Sequence, residues 1–337
     1  MIKMSKIGVV TIGRNEGERL IRCLQSILAQ LPPEGIVVYV DSGSTDQSCP
    51  AARELGVEVV ELDMSIPFTA SRARNAGFKR LQEKDPTIEY VQFLDGDTEL
   101  LEGWLIAAIE AFKNNPNTVA VCGWRRELFP EQSIYNRVVD VEGRLAGNGK
   151  IGPVGSFEGS FLIRTEAFVN VGGYNNQVIA AEDDELSIRL RQTGGIIWRI
   201  NRNSVTHDAN IHSIWQWWQR SKRTGYAYAQ VSSLHGAPPE RKFIREIRRT
   251  WLWGAIIPIS AFVLAPITYG LSLMALLRYP VTTLRLFYKT KQYGFPPKHR
   301  LAWGLSCTMA AFPEVVGALK FYRDHLRHKR PEIIEYK

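Results

Sequence analysis

The sequence predicts an α/β fold built on a mostly parallel sheet, followed by a basic, apolar helical region. Three observations predict it. Short β-branched runs alternate with helical patterns over the first half, the polar motifs fall where those runs end, and charge divides the 337 residues into unlike parts. Residues 1–219 carry a net charge of −6 and residues 220–337 one of +14. A chain of this length can bury a full core and still carry an appendage, so the division is drawn there, with the α/β domain over 1–219 and the helical region over 220–337.

Strands are expected at 7–12, 36–41, 57–62, 90–95 and 118–123, and helices between them at 16–30, 46–55, 70–82 and 102–114. In a sheet of this kind ligands bind beyond the carboxyl ends of the strands, where Thr11, Asp41 and Asp95 fall. Strand 90–95 delivers Asp95-Gly96-Asp97, two carboxylates kept close by a glycine that lets the chain turn. Such a pair can hold a hard divalent cation and leave coordination sites for water and phosphate. Residues 125–158 lose the rhythm and gather Arg, Asn and Gly, which predicts a long excursion over the site rather than core. Arg125, Arg126 and Arg144 would there face an anionic acceptor or solvent. Beyond it, 160–164 reads as a strand, 183–192 as a helix and 196–200 as a strand.

Residues 251–277 form a 27-residue stretch without charge, interrupted by Pro258 and Pro266, and a second apolar stretch, 301–319, contains Glu314. The first is long enough to cross a bilayer. Arg245, Arg248 and Arg249 precede it, however, and Arg278, Arg285, Lys289 and Lys291 follow, so a complete crossing would export a basic segment. The pattern predicts a re-entrant or interfacial helical hairpin, bent near Pro266, with both ends cytosolic. The alternative is a helical core or dimer interface of a soluble protein. The basic residues flank apolar stretches rather than forming a mixed polar groove, which points to the cytoplasmic membrane surface and away from nucleic acid. Cys23, Cys49, Cys122 and Cys307 form no C-x-x-C or Cys/His cluster and read as ordinary thiols. The apolar run 7–12 is too short for a secretory h-region and leads straight into Arg14-Asn15-Glu16.

Five patterns occur in order: Thr11-Ile12-Gly13-Arg14-Asn15-Glu16, Val40-Asp41-Ser42-Gly43-Ser44-Thr45-Asp46, Ala73-Arg74-Asn75, Asp95-Gly96-Asp97 and Glu182-Asp183-Asp184-Glu185-Leu186. Together, over residues 7–208, they resemble the family 2 glycosyltransferases, nucleotide-sugar enzymes with the Rossmann-like GT-A fold. By themselves the residues leave more than one reading open. Asp41 could accept a hydrogen bond from a base N–H or belong to a capping turn, with Asp46 as the cap. Arg74 could bring a charged fork to a diphosphate, hold Asp95, or lie on the surface. The acidic turn 182–185 suits any helix N-terminus. The resemblance implies that Thr11, Asn15, Glu16 and Asp41 line the nucleotide pocket, with Arg74 also toward the donor and Asp95 in contact with ribose or metal. It implies further that Asp97, with His207 as an additional ligand, holds Mg2+ or Mn2+. Asp183 would be the catalytic base and Glu182 its assistant, two assignments that could be exchanged.

Processive relatives such as cellulose and hyaluronan synthases carry Gln-x-x-Arg-Trp near residues 215–220. This chain has Trp215-Gln216-Trp217-Trp218-Gln219-Arg220 and then Ser221, which predicts a non-processive enzyme whose tryptophans form an interfacial belt or stack on acceptor sugars. The expectation is a metal-dependent, inverting transfer of one sugar from a nucleotide-sugar donor to a hydroxyl of a lipid-linked glycan acceptor in polysaccharide biosynthesis, at the cytoplasmic face of the membrane. The alternative is a catalytically inactive nucleotide-sugar-binding or scaffold protein of a glycan-assembly complex. A nucleotidyltransferase would need a Gly-rich phosphate loop near the N-terminus, and only Gly13-Arg14 follows Ile12.

Overall fold

The computed structural model describes residues 6–336. The chain forms two compact units. The first holds residues up to Leu128, Gly143–Gln177 and Glu182–Ala209; the second holds Phe129–Glu142, Val178–Ala181 and the residues from Asn210 on.

In the first unit the elements run β1 (Ile7–Gly13), α1 (Glu18–Leu28), β2 (Ile36–Asp41), α2 (Ser48–Glu54), β3 (Glu58–Glu61), α3 (Ala70–Lys84), β4 (Tyr90–Asp95), β5 (Thr98–Leu100), α4 (Trp104–Asn114) and β6 (Thr118–Glu127). After α5 (Ile134–Leu145), whose residues are divided between the two units, come β7 (Gly152–Val154), β8 (Phe161–Arg164), α6 (Thr165–Asn170), α7 (Glu182–Gln192) and β9 (Ile196–His207). The sheet order is β3-β2-β1-β4-β8-β6-β9-β5, with β7 on β9. The β3-β2-β1-β4 half is wholly parallel, while β8 joins β4 and β6 antiparallel.

Successive residues of a strand face opposite sides, and β1 shows the consequence. Val9 packs with Leu20, Leu24, Tyr39 and Trp104 on one side, and Val10 with Val38, Phe93, Phe161 and Leu186 on the other. With both faces covered, the strand is a nearly unbroken apolar run, as parallel sheets require. Helix α1 buries Leu20, Cys23, Leu24 and Ile27, the single stripe of an amphipathic helix. Helix α3 is capped by the Thr69 hydroxyl, which accepts from the Arg72 N–H at 3.1 Å.

Two strands exceed their expected lengths. β6 and β9 pair through several register shifts around Gly123, so their second halves continue as polar strand where the apolar alternation has stopped. A Cβ at Gly123 would lie 2.5 Å from the Arg202 carbonyl oxygen, a close approach only glycine permits. The expected excursion 125–158 is corrected accordingly. Its first three residues finish β6, and α5 buries Val138, Val139 and Val141, which makes part of the segment core.

In the second unit, α8 (Ile214–His235) starts at a capping box in which the Ser213 and Gln216 side chains and backbones bond reciprocally. A continuous helix, Ile244–Leu264, comprises α9 (Ile244–Trp251), a π-turn (Leu252–Ile256) and α10 (Ile257–Leu264). A 3-10 segment (Leu271–Leu277), α11 (Arg278–Lys289), α12 (Pro297–Met309) and α13 (Ala311–Leu326) follow. Helices α8 and α13 meet backbone to backbone, since a Cβ at Gly225 would lie 1.9 Å from the Glu314 carbonyl oxygen and one at Gly317 1.9 Å from that of Lys222. Glu314, the acid within the second apolar stretch, is buried and accepts from the Thr250 hydroxyl at 2.7 Å and Arg249 at 3.2 Å. Ile179, Tyr226, Ala229, Ile247, Ala318, Phe321 and Ile334 form the core of this unit.

Gly77, inside α3, gives a sharp test of helix-on-sheet packing. Alanine in place of an interior helical glycine ordinarily stabilises by about 1 kcal/mol. Here its Cβ would lie 2.4 Å from Val10 Cγ1 and 2.9 Å from Val40 Cγ2. Overpacking of that kind costs about 1–3 kcal/mol, so Gly77→Ala is expected to lower the urea midpoint with an unchanged m-value.

Candidate active site

Strand register brings the motifs together. Gly13 pairs with Asp41 and Ile12 with Asp95, so the carboxyl ends of β2, β1 and β4 lie side by side. Gly96 completes this edge: its N–H donates to the Ile12 carbonyl at 2.8 Å, and a Cβ there would lie 3.1 Å from the same oxygen. The glycine is therefore needed for close approach rather than for the turn expected of it.

Arg74 stands at the centre. It projects from α3 and is 2% exposed. Its Nη1 donates to Glu182 Oε1 and its Nη2 to Asp95 Oδ1, both at 2.7 Å, and Asp183 Oδ1 lies 3.8 Å from Nη1. Its guanidinium also faces the Tyr174 ring, 5.3 Å from the centroid. Burial opposes its charge, but Tyr174 and the three carboxylates raise its pKa well above the ordinary arginine value. Of the three readings open for Arg74, the structure shows it holding Asp95. Asn75, the next residue, clamps Tyr174 by accepting from its N–H at 2.9 Å and donating to its carbonyl at 2.8 Å.

Asp183 lies in the first turn of α7 and is fixed at both oxygens. The Tyr174 hydroxyl donates to Oδ1 at 2.8 Å and the Gly159 N–H to Oδ2 at 2.6 Å. Gly159 has φ +62°, and a Cβ there would stand 3.6 Å from Asp95 Oδ2. Burial pushes the Asp183 carboxyl up to about 7. Arg74 works against this rise, while Glu182 and Asp95 add to it. Ala181, just before the helix, has φ +57°, a conformation that residues with a Cβ rarely adopt and that accumulates at functional sites. Glu182 is committed to Arg74 and largely buried.

A second group follows from the register of three neighbouring strands. Thr98 pairs with His207 across β5 and β9, and Glu127 with His207 across β6 and β9. His207 Nε2 lies 3.4 Å from Asp97 Oδ2, and its Nδ1 lies 3.2 Å from Glu127 Oε2. Glu127 is buried and also accepts from the Ala209 N–H at 3.3 Å. An imidazole with one nitrogen held by a buried carboxylate and the other facing an aspartate has the orientation of a metal-ligating histidine. Among the described residues no group of three or more His, Cys, Asp or Glu side chains converges as a metal site, so Asp97 and His207 stand as a pair.

On the expected nucleotide side, the Asp41 carboxylate is surrounded by the chain's own donors. Oδ2 accepts from the N–H groups of Gly43 at 2.9 Å and Ser44 at 2.8 Å, and Oδ1 from the hydroxyls of Tyr39 and Ser44. A ligand N–H must displace one of those hydroxyls to reach it. Asn15, at φ +53°, ties this loop to β1, donating its N–H to Ser44 Oγ and accepting from the Thr45 N–H, each at 2.8 Å. Glu16 pairs with Arg19 at 2.8 Å beside Gly96, and Thr11 is fully buried beneath this surface.

The description "Glycosyl transferase family 2" fits residues 8–173. These residues form a family 2 glycosyltransferase domain. A succinoglycan biosynthesis protein, ExoA, of Rhizobium meliloti is 23% identical over 280 residues, 76% of this chain and 82% of that one. A poly-beta-1,6-N-acetyl-D-glucosamine synthase of Staphylococcus epidermidis is 27% identical over 185 residues, 52% of this chain and 43% of the synthase. The chain spans between 31% and 82% of the length of such relatives. The solved mannosyltransferase of Pyrobaculum calidifontis, in complex with GDP-Man and Mn2+, superposes with a TM-score of 0.63 at 19% identity, covering 96% of this chain and 88% of that one. The fold is thus the expected GT-A arrangement, with helices following it, and residues 8–173 are its glycosyltransferase domain.

Sequence reasoning missed Glu127, Gly159 and Tyr174. The fold gives each its importance, because β6 runs on through a bulge to Glu127 and Asn75 clamps Tyr174 from 99 residues away. Glu127→Ala is expected to leave the buried Ala209 N–H unsatisfied and to lower the unfolding free energy by about 1–3 kcal/mol, measurable by urea titration.

Proposed function

We propose that this glycosyltransferase moves one sugar from a nucleotide-sugar donor to a hydroxyl of a lipid-linked glycan in polysaccharide biosynthesis, with inversion, at the cytoplasmic face of the membrane. The observation that carries the chemistry is Asp183: a buried carboxylate, fixed at both oxygens and raised to about 7, beside a buried arginine. A general base works best when its pKa lies near the working pH. Asp183 takes the proton from the acceptor hydroxyl as that oxygen attacks the anomeric carbon, and attack opposite the leaving diphosphate inverts the configuration. Tyr174 and the Gly159 N–H hold the base in place. Arg74 keeps Asp95 and Glu182 in register with it, and Asp95 stands toward the donor. Thr11, Asn15, Glu16 and Asp41 border the nucleotide.

Asp97 would supply an oxygen donor suited to Mg2+ or Mn2+, and His207, its imidazole oriented by Glu127, would add a nitrogen donor. When bound, that cation offsets charge on the leaving diphosphate. The Mn2+ in the complex of the similar mannosyltransferase supports this reading, and the name of the Rhizobium relative supports polysaccharide assembly. The net charge of +14 over residues 220–337, set among apolar helices, supports docking at an anionic membrane.

The test is nucleoside diphosphate release from UDP-, GDP- and dTDP-sugars by the detergent-purified protein, with manganese or with EDTA. Metal-dependent release from one donor, lost in Asp97→Ala and in Asp183→Asn, is the expected result. Absence of release from every donor, even with lipid extract present, would favour the nucleotide-sugar-binding alternative.

The pH dependence carries a sign. Asp183 must be ionised to accept the proton, and its pKa lies above the ordinary carboxylate value, at about 7. The rate should therefore rise with pH, about tenfold per unit below 7, and level off above it. Tyr174→Phe removes a donor to the ionised form, so the acid limb of kcat/KM should move to higher pH. The raised pKa also favours the folded state below the ordinary carboxylate range, an advantage lost as pH rises through about 7.

A further inference from the structure

The apolar stretch 251–277 folds as a hairpin whose two feet are level. Trp253 on the outgoing arm meets Arg278 and Tyr279 on the returning one: the Arg278 guanidinium lies 5.3 Å from the Trp253 ring centroid, and the Tyr279 hydroxyl donates to the Trp253 carbonyl. Beyond the feet there is no charge. Large apolar side chains stand exposed along both arms and the turn, among them Ile259, Phe262, Ile267 (74%), Tyr269 (97%), Leu271 (68%) and Met274. Exposed apolar patches of this extent mark an interaction surface.

Most of the turn's backbone N–H groups, those of Ile267, Thr268, Gly270 and Leu271 but not that of Tyr269, find partners within it. Pro266 has no N–H to satisfy. The N–H groups of Ile267 and Thr268 donate to the Leu264 carbonyl, that of Gly270 to Ala265, and that of Leu271 to Thr268, at 2.8–3.1 Å. The Thr268 hydroxyl donates to the Leu264 carbonyl at 2.9 Å and accepts from the Ser272 N–H at 3.1 Å. The Ser272 hydroxyl reaches back to the Ala261 carbonyl at 2.7 Å. A loop in water has no need of this, because solvent satisfies its backbone. A turn surrounded by hydrocarbon does need it.

We infer that residues 254–277 form a wedge that enters a single leaflet of the bilayer tip first, with Ile267 and Tyr269 deepest and both feet at the headgroups of one face. The inference rests on the membrane-docking reading above and gives it a segment and a depth. Length decides between wedge and span. The outgoing helix, Ile244–Leu264, has 21 residues, but Arg245, Arg248 and Arg249 occupy its first turns, which leaves Leu252–Leu264, 13 residues or about 20 Å at ~1.5 Å per residue, as the charge-free arm. The 7-residue 3-10 return is about 14 Å at ~2.0 Å per residue. The arms reach about two thirds and about half of the roughly 30 Å hydrocarbon core, so neither crosses it. Arg278, Arg285 and Lys289 then follow where lipid phosphates lie, with Arg245, Arg248 and Arg249 ahead of the outgoing arm. Trp253 and Tyr279 occupy the interfacial level that aromatic side chains favour.

The experiment uses the full chain with vesicles of phosphatidylcholine and phosphatidylglycerol. Wild type should sediment with the vesicles, and Ile267→Asp/Tyr269→Asp should lose binding about tenfold or more while still hydrolysing donor in detergent. In sealed vesicles, a membrane-impermeant maleimide is added inside or outside and read peptide by peptide by mass spectrometry, so that native cysteines are scored apart. Tyr269→Cys should be protected from both faces, and Lys291→Cys labelled only from the face of the catalytic unit. Vesicle binding with Lys291→Cys labelled from the opposite face would overturn the wedge in favour of a span and leave membrane docking intact. No vesicle binding, with a dimer in light scattering that the double aspartate variant converts to monomer, would assign the hairpin to a second copy and overturn docking as well.

Discussion

The buried guanidinium of Arg74 is the interaction on which the catalytic unit turns. A cation that is 2% exposed is tolerable only with anionic partners, and this one has three carboxylates around it, drawn from β4 and α7. Two are bound at 2.7 Å and the third stands off at 3.8 Å. That asymmetry matters. Burial raises the carboxyl pKa of both Asp95 and Asp183 against the pull of Arg74, and Asp183, which stands farthest from the guanidinium, is raised to about 7. One structural ion-pair network thereby holds three segments in register and leaves one carboxylate poised to accept a proton.

The same economy appears at the other end of the sheet. The pairing of β5, β9 and β6 fixes Asp97, His207 and Glu127 in one row, so a histidine that looks isolated in sequence is oriented by a buried carboxylate 80 residues away. The two groups share the Asp95-Gly96-Asp97 turn, with Asp95 committed to Arg74 and Asp97 facing His207. Gly96, pressed against the Ile12 carbonyl, joins them.

Much of this was legible in the sequence, for identifiable reasons. The strands at 36–41 and 90–95 are bounded by a helix end and a polar turn, and their limits fall where periodicity put them. Arg74 was legible as a candidate but not in its role, because a surface arginine and a buried one share the same local pattern. Gly159 and Tyr174 were not legible at all. Their hydrogen bonds to Asp183 are made across 24 and 9 residues, from positions outside any strand or helix, where no periodicity operates. The tails of β6 and β9 were lost because bulges interrupt alternation there. The segments 129–142 and 178–181 belong by contact to the helical unit, a long-range property that composition does not encode. The hairpin's bend was legible from its prolines and its feet from the arginines that flank it.

The most direct test of the Arg74 network is a double-mutant cycle in urea using Arg74→Met, Glu182→Gln and the pair. If the network is the constraint described, Arg74→Met alone leaves buried carboxylates uncompensated and costs about 3–5 kcal/mol. Glu182→Gln in that background should then recover a clear part of the loss, giving a coupling energy above about 1 kcal/mol. Additive effects, with no recovery in the double variant, would contradict the account and reduce Arg74 to a packing residue.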